Sequence, residues 1–457
     1  MKKARFYFAM AAAKLVRAAL LLLRRNGSYM PGLVAVKICP DFIGYLTKPD
    51  VFIAVTGTNG KTTTSNLLTN ILRANGRNVT NNSYGSNVQA GVAAALLANS
   101  SFGGTPKNDT AVLEVDERSS LLVYPYMAPD IIICNNIMRD SLKRNANTDF
   151  ISYIINSALP QTSTLVLNGD DIICSRLGRN NKNRIFFGVD ALRPEGMADS
   201  TVKDIVYCPE CFSPLQAEYL RYNHIGRIRC PVCGCGTPER DFCVTDIDGV
   251  NNTFTVSHGG EKDTYRLIND NIVNVYNFCG AIAVLTRLGL KKDEIAKGFE
   301  GGEIVKTRYD SEQIKGKKLT MLLAKGQNPV ACSRCYSYAA SCPGENKTVI
   351  IMVDDKGDNT NSSESVSWLF DCDYTPLADE SISEIIFSGP RCLDHVLRAM
   401  LAGIDGSKIK TSNEFTGGAE IADLENGGDI FVLYDPYLLA EKDSVKNKLR
   451  QRAEAEL

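Results

Sequence analysis

The sequence predicts an α/β protein. Its central domain carries a phosphate-binding loop on a mainly parallel sheet and holds an inserted four-cysteine ribbon, and a smaller Rossmann-like α/β domain follows. Three observations make that prediction. The apolar run Val51–Val55 passes into Gly57-Thr58-Asn59-Gly60-Lys61-Thr62-Thr63 and then into a helical pattern reaching about Ala74, the order strand, glycine-rich turn, helix. Short apolar runs alternate with helical stretches through most of the chain, which implies parallel strands joined by helices. A polar, cysteine-rich segment from about Val206 to Cys243 interrupts that rhythm.

The elements follow in order. The apolar run from Phe6 to Leu23 is broken by Lys14 and Arg17, so it is not a bilayer-spanning segment of about 20 uninterrupted apolar residues. It reads as an amphipathic helix, either docked on its own core or resting on a membrane surface. Pro31-Gly32 breaks the pattern before the first strand. Further strands are expected at Ala111–Val115, Ile131–Cys134 and Leu165–Leu167. After the insertion they resume at Thr348–Val353, Glu384–Phe387 and Asp429–Leu433, with an Asp-, Asn- and Ser-rich loop at Asp354–Ser365. The expected domains are 1–48, 49–312 with the ribbon at about 206–243, and 313–457. A chain of 457 residues has room for several domains. A formal net charge of −1 with interspersed charges gives no sign of a nucleic-acid footprint and weighs against a polyanionic partner. Fifteen cysteines is an odd number, and no secretory signal precedes them, so they are read as reduced thiols in a cytoplasmic protein.

Gly57, Thr58, Asn59, Gly60, Lys61, Thr62 and Thr63 have what a phosphate loop requires: glycines that let backbone N–H groups turn inward, a lysine, and hydroxyls at a helix start. The loop and helix N-terminus would hold the phosphates of ATP, Lys61 would neutralise charge, and Thr62 would ligate Mg²⁺. Mg²⁺ takes one or two carboxylates beside phosphate and water. Glu114 is the first candidate, with Asp116 and Glu117 behind it at the same strand end. Cys208-Pro209-Glu210-Cys211 and Cys230-Pro231-Val232-Cys233 lie within the spacing window of a zinc ribbon. Four thiolates close a tetrahedron around Zn²⁺ and make the metal structural. Cys332, Cys335 and Cys342 read as packing residues, and His224, His258 and His395 as scattered surface or satisfied polar residues.

Gly-Thr-Asn-Gly-Lys-Thr-Thr-Thr from Gly57, led by Thr56 and followed by an acidic strand end, resembles the ATP-binding domain of the Mur ligases. Asn135-Asn136-Ile137-Met138-Arg139-Asp140-Ser141-Leu142-Lys143-Arg144 and Leu167-Asn168-Gly169-Asp170-Asp171 are similar to motifs of one branch, the MurT family, and the ribbon agrees with it. Asn274-Val275-Tyr276-Asn277 resembles the pair that lies near adenine in Mur ligases, so Asn274 and Asn277 join the nucleotide site. Lys325-Gly326-Gln327-Asn328-Pro329 and Ser388-Gly389-Pro390-Arg391 resemble the family's C-terminal loops. They imply Lys325, Asn328 and Arg391 as substrate residues.

The resemblance implies ATP-dependent amidation of the D-Glu α-carboxylate of the lipid II stem peptide to D-isoglutamine. Ammonia would come from a GatD-type glutaminase partner, because this chain has no nucleophile elbow of its own. The enzyme would work at the inner face of the membrane. Two departures stand out. Where the family has a carboxylate that orients the partner's histidine, this chain has Ser365, with Glu364 beside it and Asp358 earlier. A hydroxyl cannot supply fixed negative charge, so Glu364 or Asp358 is the expected substitute. Phe299-Glu300-Gly301-Gly302-Glu303 also lacks the arginine usual after Phe-Gly in Mur-type chains, a gap that Arg308 would fill. Two other readings remain from the sequence: a Mur-like amino-acid ligase, and a nucleotide-gated protein whose ribbon does the recognition.

Overall fold

The computed structural model describes residues 2–82, 86–140, 147–190, 203–268, 271–300, 309–324, 326–353 and 366–456. The chain divides into two compact units. The first comprises residues 1–138, 147–198 and 204–304; the second comprises 139–146, 199–203 and 305–457.

The first unit begins with two helices, α1 (Lys2–Leu22) and α2 (Met30–Ile38). One side of α1 buries Phe6, Ala9, Met10 and Ala13, with the Phe6 ring 5.3 Å from Phe42 and 5.4 Å from Tyr45. Burying a side chain of that size stabilises by roughly 2 kcal/mol. Pro31-Gly32, expected as a break, instead opens α2. Proline has no N–H to lose in a first turn. A Cβ on Gly32 would lie 1.8 Å from the Ala90 carbonyl oxygen, so this glycine permits a close helix crossing.

The α/β pattern then runs β1 (Val51–Thr56), α3 (Lys61–Ala74), β2 (Val79–Asn81), α4 (Gln89–Ala98), β3 (Thr110–Glu114), α5 (Ser120–Val123), β4 (Ile131–Cys134), α6 (Thr148–Ala158), β5 (Thr164–Asn168) and β6 (Arg184–Val189). A separate hairpin, β7 (Gln216–Tyr222) and β8 (Ile225–Arg229), belongs to the cysteine segment. After it come β9 (Phe242–Asp248), β10 (Thr253–His258), β11 (Glu261–Arg266), α7 (Ile272–Arg287) and α8 (Lys292–Glu300). The sheet is nine-stranded, in the order β11-β10-β9-β6-β5-β4-β1-β3-β2. From β2 to β9 it is parallel; β10 and β11 add an antiparallel edge. Strands β3, β4 and β5 are buried along their whole length, as parallel strands covered on both faces must be. Because β3 and β4 flank β1 on opposite sides, the carboxyl end of β1 is a topological switch point, where such sheets place their ligands.

The second unit contains β12 (Tyr309–Ile314), β13 (Lys317–Leu323), α9 (Pro329–Ser341), β14 (Lys347–Met352), β15 (Ile382–Ser388), α10 (Cys392–Leu401), β16 (Ile409–Ser412), α11 (Gly418–Ile421), β17 (Ile430–Tyr434) and α12 (Leu439–Glu456). Its six strands are ordered β12-β13-β17-β14-β15-β16, parallel except for β12 against β13. The three strands expected in this part of the sequence are β14, β15 and β17.

Candidate functional site

The loop after β1 is shaped by glycine and held by asparagine. Gly60 has φ +83°, and a Cβ there would fall 2.3 Å from Asn277 Oδ1; only glycine combines that backbone with that proximity. The neighbouring segment Asn135–Met138 grips the loop from the side. Thr58 N–H donates to the Asn136 carbonyl at 2.9 Å. Asn59 N–H donates to Asn136 Oδ1 at 2.9 Å. Thr58 Oγ1 accepts from Met138 N–H at 2.9 Å and donates to the Met138 carbonyl at 3.0 Å. On this side the loop's backbone is fixed by uncharged hydrogen bonds.

Lys61 opens α3. Its ammonium donates to the Gly57 carbonyl, to the Thr58 carbonyl at 3.3 Å and to Glu117 Oε1 at 3.1 Å. Glu114, at the end of β3, accepts from the Thr62 and Ser65 hydroxyls, each at 3.2 Å. Its backbone is held on both sides by Asn82, at 2.8 and 2.9 Å. Burial raises the Glu114 carboxyl above its usual range, against Thr62, Lys61 and Ser65 pulling it down. Of the two acids ranked behind it, Glu117 faces Lys61 and Asp116 caps Arg118 N–H at 3.1 Å. Thr63 is half-buried beside Thr62. Asn277 is buried against Gly60, and Asn274 is half-buried one turn earlier on α7.

Three buried polar atoms around the loop have no hydrogen-bond partner: Thr56 Oγ1, Asn135 Oδ1 and Asn277 Nδ2. Orphans of this kind are rare in folded interiors and mark places where an ion, water or ligand belongs. Together with the lysine, the hydroxyls and the buried carboxylate, they fit a nucleotide phosphate chain and Mg²⁺.

The four cysteines converge. Their Sγ atoms all lie within 4.8 Å of one another, the one such group of His, Cys, Asp or Glu side chains among the described residues. Cys208 is 3.5 Å from Cys233, and Cys211 is 3.4 Å from Cys230. Thiolates about 2.3 Å from a zinc ion at tetrahedral angles sit close to 4 Å apart, so the set fits Zn²⁺. The two knuckles are built alike. The residue after each second cysteine, Phe212 or Gly234, has positive φ (59° and 75°). Hydrogen bonds from Ser213, side chain and backbone, with Cys230 and against burial, hold the Cys211 thiol down at about 6. Cys235 N–H pulls Cys233 the same way, but burial and the three neighbouring thiols push it up to about 12, so the four share protons that a metal would displace. Among the described residues, Cys332 and Cys335 are packing residues as expected: both are buried, with Cys332 Sγ 3.3 Å from the Ala324 carbonyl.

A third cluster escaped sequence reading. Asp171 accepts Ile137 N–H at 2.7 Å, so it holds the same segment that grips the phosphate loop. Its other oxygen accepts Ile173 and Cys174 N–H at 2.9 Å and lies 3.0 Å from His224 Nε2. His224 sits at the tip of the β7–β8 hairpin, with Asp204 Oδ2 3.6 Å from Nδ1. Burial alone would lower this imidazole, but Asp171 and Asp204 override it and hold the group up at about 9. His224 is thus a buried imidazolium between two aspartates, joining the ribbon to the loop's support. His224 and Asp171 are 53 positions apart, too far to leave a local signal. Asp170 does similar work beside it, accepting from Val189 N–H at 2.9 Å, Tyr276 at 2.7 Å and Arg240 at 3.2 Å.

Residues 55–211 match the Mur ligase middle domain, and residues 325–435 match the MurT ligase C-terminal domain. The chain is 31% identical over 423 residues to the lipid II isoglutaminyl synthase (glutamine-hydrolyzing) subunit MurT of Staphylococcus aureus (strain COL), covering 92% of this chain and 93% of that one. The chain belongs to the MurT family. The Streptococcus pneumoniae (strain ATCC BAA-255 / R6) MurT subunit is 30% identical over 85% of each chain. Among solved structures, a pseudomurein peptide ligase type C from Methanothermus fervidus shares the fold at TM-score 0.65 and 20% identity, covering 89% of this chain and 80% of that one. MurF from Thermotoga maritima, solved with ADP, does so at 0.60 and 15%, covering 93% and 85%.

The MurT-type second unit treats its expected residues unevenly. Asn328 is fully buried and its amide is engaged at both ends: Oδ1 caps α9 through Ala331 N–H at 2.9 Å, and Nδ2 donates to Asp140 at 2.9 Å. It shapes the loop it sits in. Arg391 pairs with Asp394 at 2.7 Å, and Arg398 donates to the Leu369 and Cys372 carbonyls at 3.1 and 2.8 Å. The one tryptophan, Trp368, is buried edge-on to His395. Burial lowers the His395 imidazole to about 4, so it is neutral and structural. Lys325, Asp358, Glu364, Ser365 and Arg308 lie outside the described residues.

Proposed function

We propose that this chain is the synthetase subunit of an enzyme that amidates lipid II. ATP phosphorylates the α-carboxylate of the D-Glu residue in the stem peptide: a carboxylate oxygen bonds to the γ-phosphorus and ADP leaves. Ammonia from a GatD-type glutaminase then attacks the acyl carbon, phosphate departs, a proton is lost, and D-isoglutamine results. The observation that carries this reading is the match, along 92% of the chain, to subunits named for that reaction. The loop and cysteine geometries support it independently.

Each residue then has a task. The N–H groups of Gly57 to Thr63 and the start of α3 hold the phosphates, and Lys61 offsets charge on the transferring group. Thr62 and Glu114 hold Mg²⁺, which when bound neutralises the phosphate oxygens. Asn274 and Asn277 close the site on the adenine side. Cys208, Cys211, Cys230 and Cys233 hold a structural Zn²⁺. In the second unit, Lys325 and Arg391 form the substrate side, Asn328 shapes the loop that carries Lys325, and Glu364 or Asp358 supplies the carboxylate that orients the partner's histidine. The enzyme works in the cytoplasm, at the inner face of the membrane.

An acyl phosphate is trapped by hydroxylamine as a hydroxamate. Lipid II hydroxamate that forms only with ATP, and is lost in Lys61→Ala, is the expected result; ADP release with no hydroxamate would refute the acyl-phosphate step. Changing Asp358 and Glu364 together to alanine should abolish glutamine-driven amidation and spare ammonium-driven amidation. Unchanged glutamine-driven turnover would dismiss both residues.

A further inference from the structure

The inner side of α1 is explained by the core; its outer side is not. Ala4, Phe8, Ala11, Leu15, Ala18 and Leu22 recur at alternating steps of four and three and form one stripe along the helix. Phe8, Leu15 and Leu22 are 67%, 71% and 85% exposed. Tyr7, Leu21 and Leu23 widen the stripe, and all three are exposed. A helix lying on a soluble domain normally turns charged and polar residues to solvent. This one turns an aromatic and aliphatic face outward over its whole length.

The charges around it have one sign. The first forty residues contain eight lysines and arginines and no Asp or Glu, in a chain whose net charge is −1. Lys3 and Arg5 are exposed near its start, and Arg24 and Arg25 are exposed at its end, directly after Leu21, Leu22 and Leu23. Lys14 is held at the flank by the Ser100 carbonyl at 2.7 Å. A second copy of this chain would set like charges against each other. An anionic bilayer offers both things the face needs, an apolar layer for the stripe and phosphates for the cations. The helix does not cross: among the described residues none is long and apolar enough to span a membrane.

We infer that α1 lies in the plane of an anionic lipid surface, with the Phe8–Leu15–Leu22 face in the acyl layer and its lysines and arginines at the phosphates. This stands apart from the amidation reading, which adds only that the substrate is itself lipid-anchored.

Flotation of the full chain with vesicles of phosphatidylcholine, with and without phosphatidylglycerol, tests it. Binding is expected only with phosphatidylglycerol and should weaken as salt rises. The double substitution Leu15→Glu and Leu22→Glu should weaken it at least tenfold with an unchanged melting temperature, since neither side chain contributes to the core. A second pair, Arg24→Glu and Arg25→Glu, should remove the preference for anionic vesicles. Three results would overturn the inference: no binding of the native chain to anionic vesicles at low salt, equal binding by the leucine pair, or a dimer in sedimentation that the leucine pair abolishes. Vesicle binding without amidation would leave this inference standing and sink the functional reading; amidation without vesicle binding would do the reverse.

Discussion

The phosphate loop and the cysteine ribbon are both tied to the segment Asn135–Met138, but by different physics. The loop is held by uncharged hydrogen bonds from Asn136 and Met138 over distances of 2.9 to 3.0 Å. The ribbon reaches the same segment through Asp171 and a buried, charged His224. Neutral bonds of the first kind contribute about 1 kcal/mol each and are indifferent to pH. A buried ion cluster contributes little over a well-packed apolar substitute, yet is costly to break on one side because the remaining charge is stranded. The loop should therefore tolerate small losses gradually, whereas the ribbon's anchor should fail sharply.

The largest effect is expected on removing the metal. Chelation, or Cys230→Ser, should release one zinc per chain and expose 206–243 to protease, at a cost of several kcal/mol. Protection that survives zinc loss would mean that the hairpin is held by packing alone. Lys61→Ala should lower ATP-dependent turnover about 10³-fold, measured as ADP release, and leave zinc content unchanged.

His224→Ala should cost about 3 to 5 kcal/mol in denaturant unfolding, since it strands Asp171 and Asp204. The anchor also predicts a pH dependence. The folded imidazole titrates at about 9 against an ordinary 6.5. Its contribution is thus complete below pH 6.5 and disappears as pH rises through 9, a change of roughly 3 kcal/mol. His224→Gln, which keeps a hydrogen-bonding side chain but does not titrate, should lack that slope. Parallel pH profiles for the two proteins would show that the His224 charge does not stabilise the fold. The smallest effect is expected at Gly60→Ala, where a left-handed backbone costs about 1 to 2 kcal/mol before Asn277 moves aside. It should raise KM for ATP more than it lowers stability, and an unchanged KM would show that the loop has slack.

What was legible in the sequence was local. The phosphate loop and the cysteine knuckles carry their chemistry in residues a few positions apart, and the structure brings each set together. The apolar strands β1, β3, β4, β5, β14, β15 and β17 showed through because buried parallel strands are continuously hydrophobic. Strand β11, Glu261-Lys262-Asp263-Thr264-Tyr265-Arg266, gave no such signal, since an exposed antiparallel edge keeps its polar residues. In the sequence His224 is one of three scattered histidines. It is satisfied, as expected, but at the centre of a buried charged contact, and only the fold could bring Asp171 and Asp204 to it. Resemblance to a family loop implies a substrate role for Asn328. The structure shows its amide capping a helix, a role that asparagine before proline also signals.

The most direct test of the central claim is amidation of lipid II by the purified chain with ATP, using ammonium in one arm and glutamine with the cognate glutaminase in the other. D-isoglutamine is expected in both arms. Product from ammonium alone would contradict the proposed coupling through Glu364 or Asp358, and no product in either arm would contradict the assignment of this chain as the amidating synthetase.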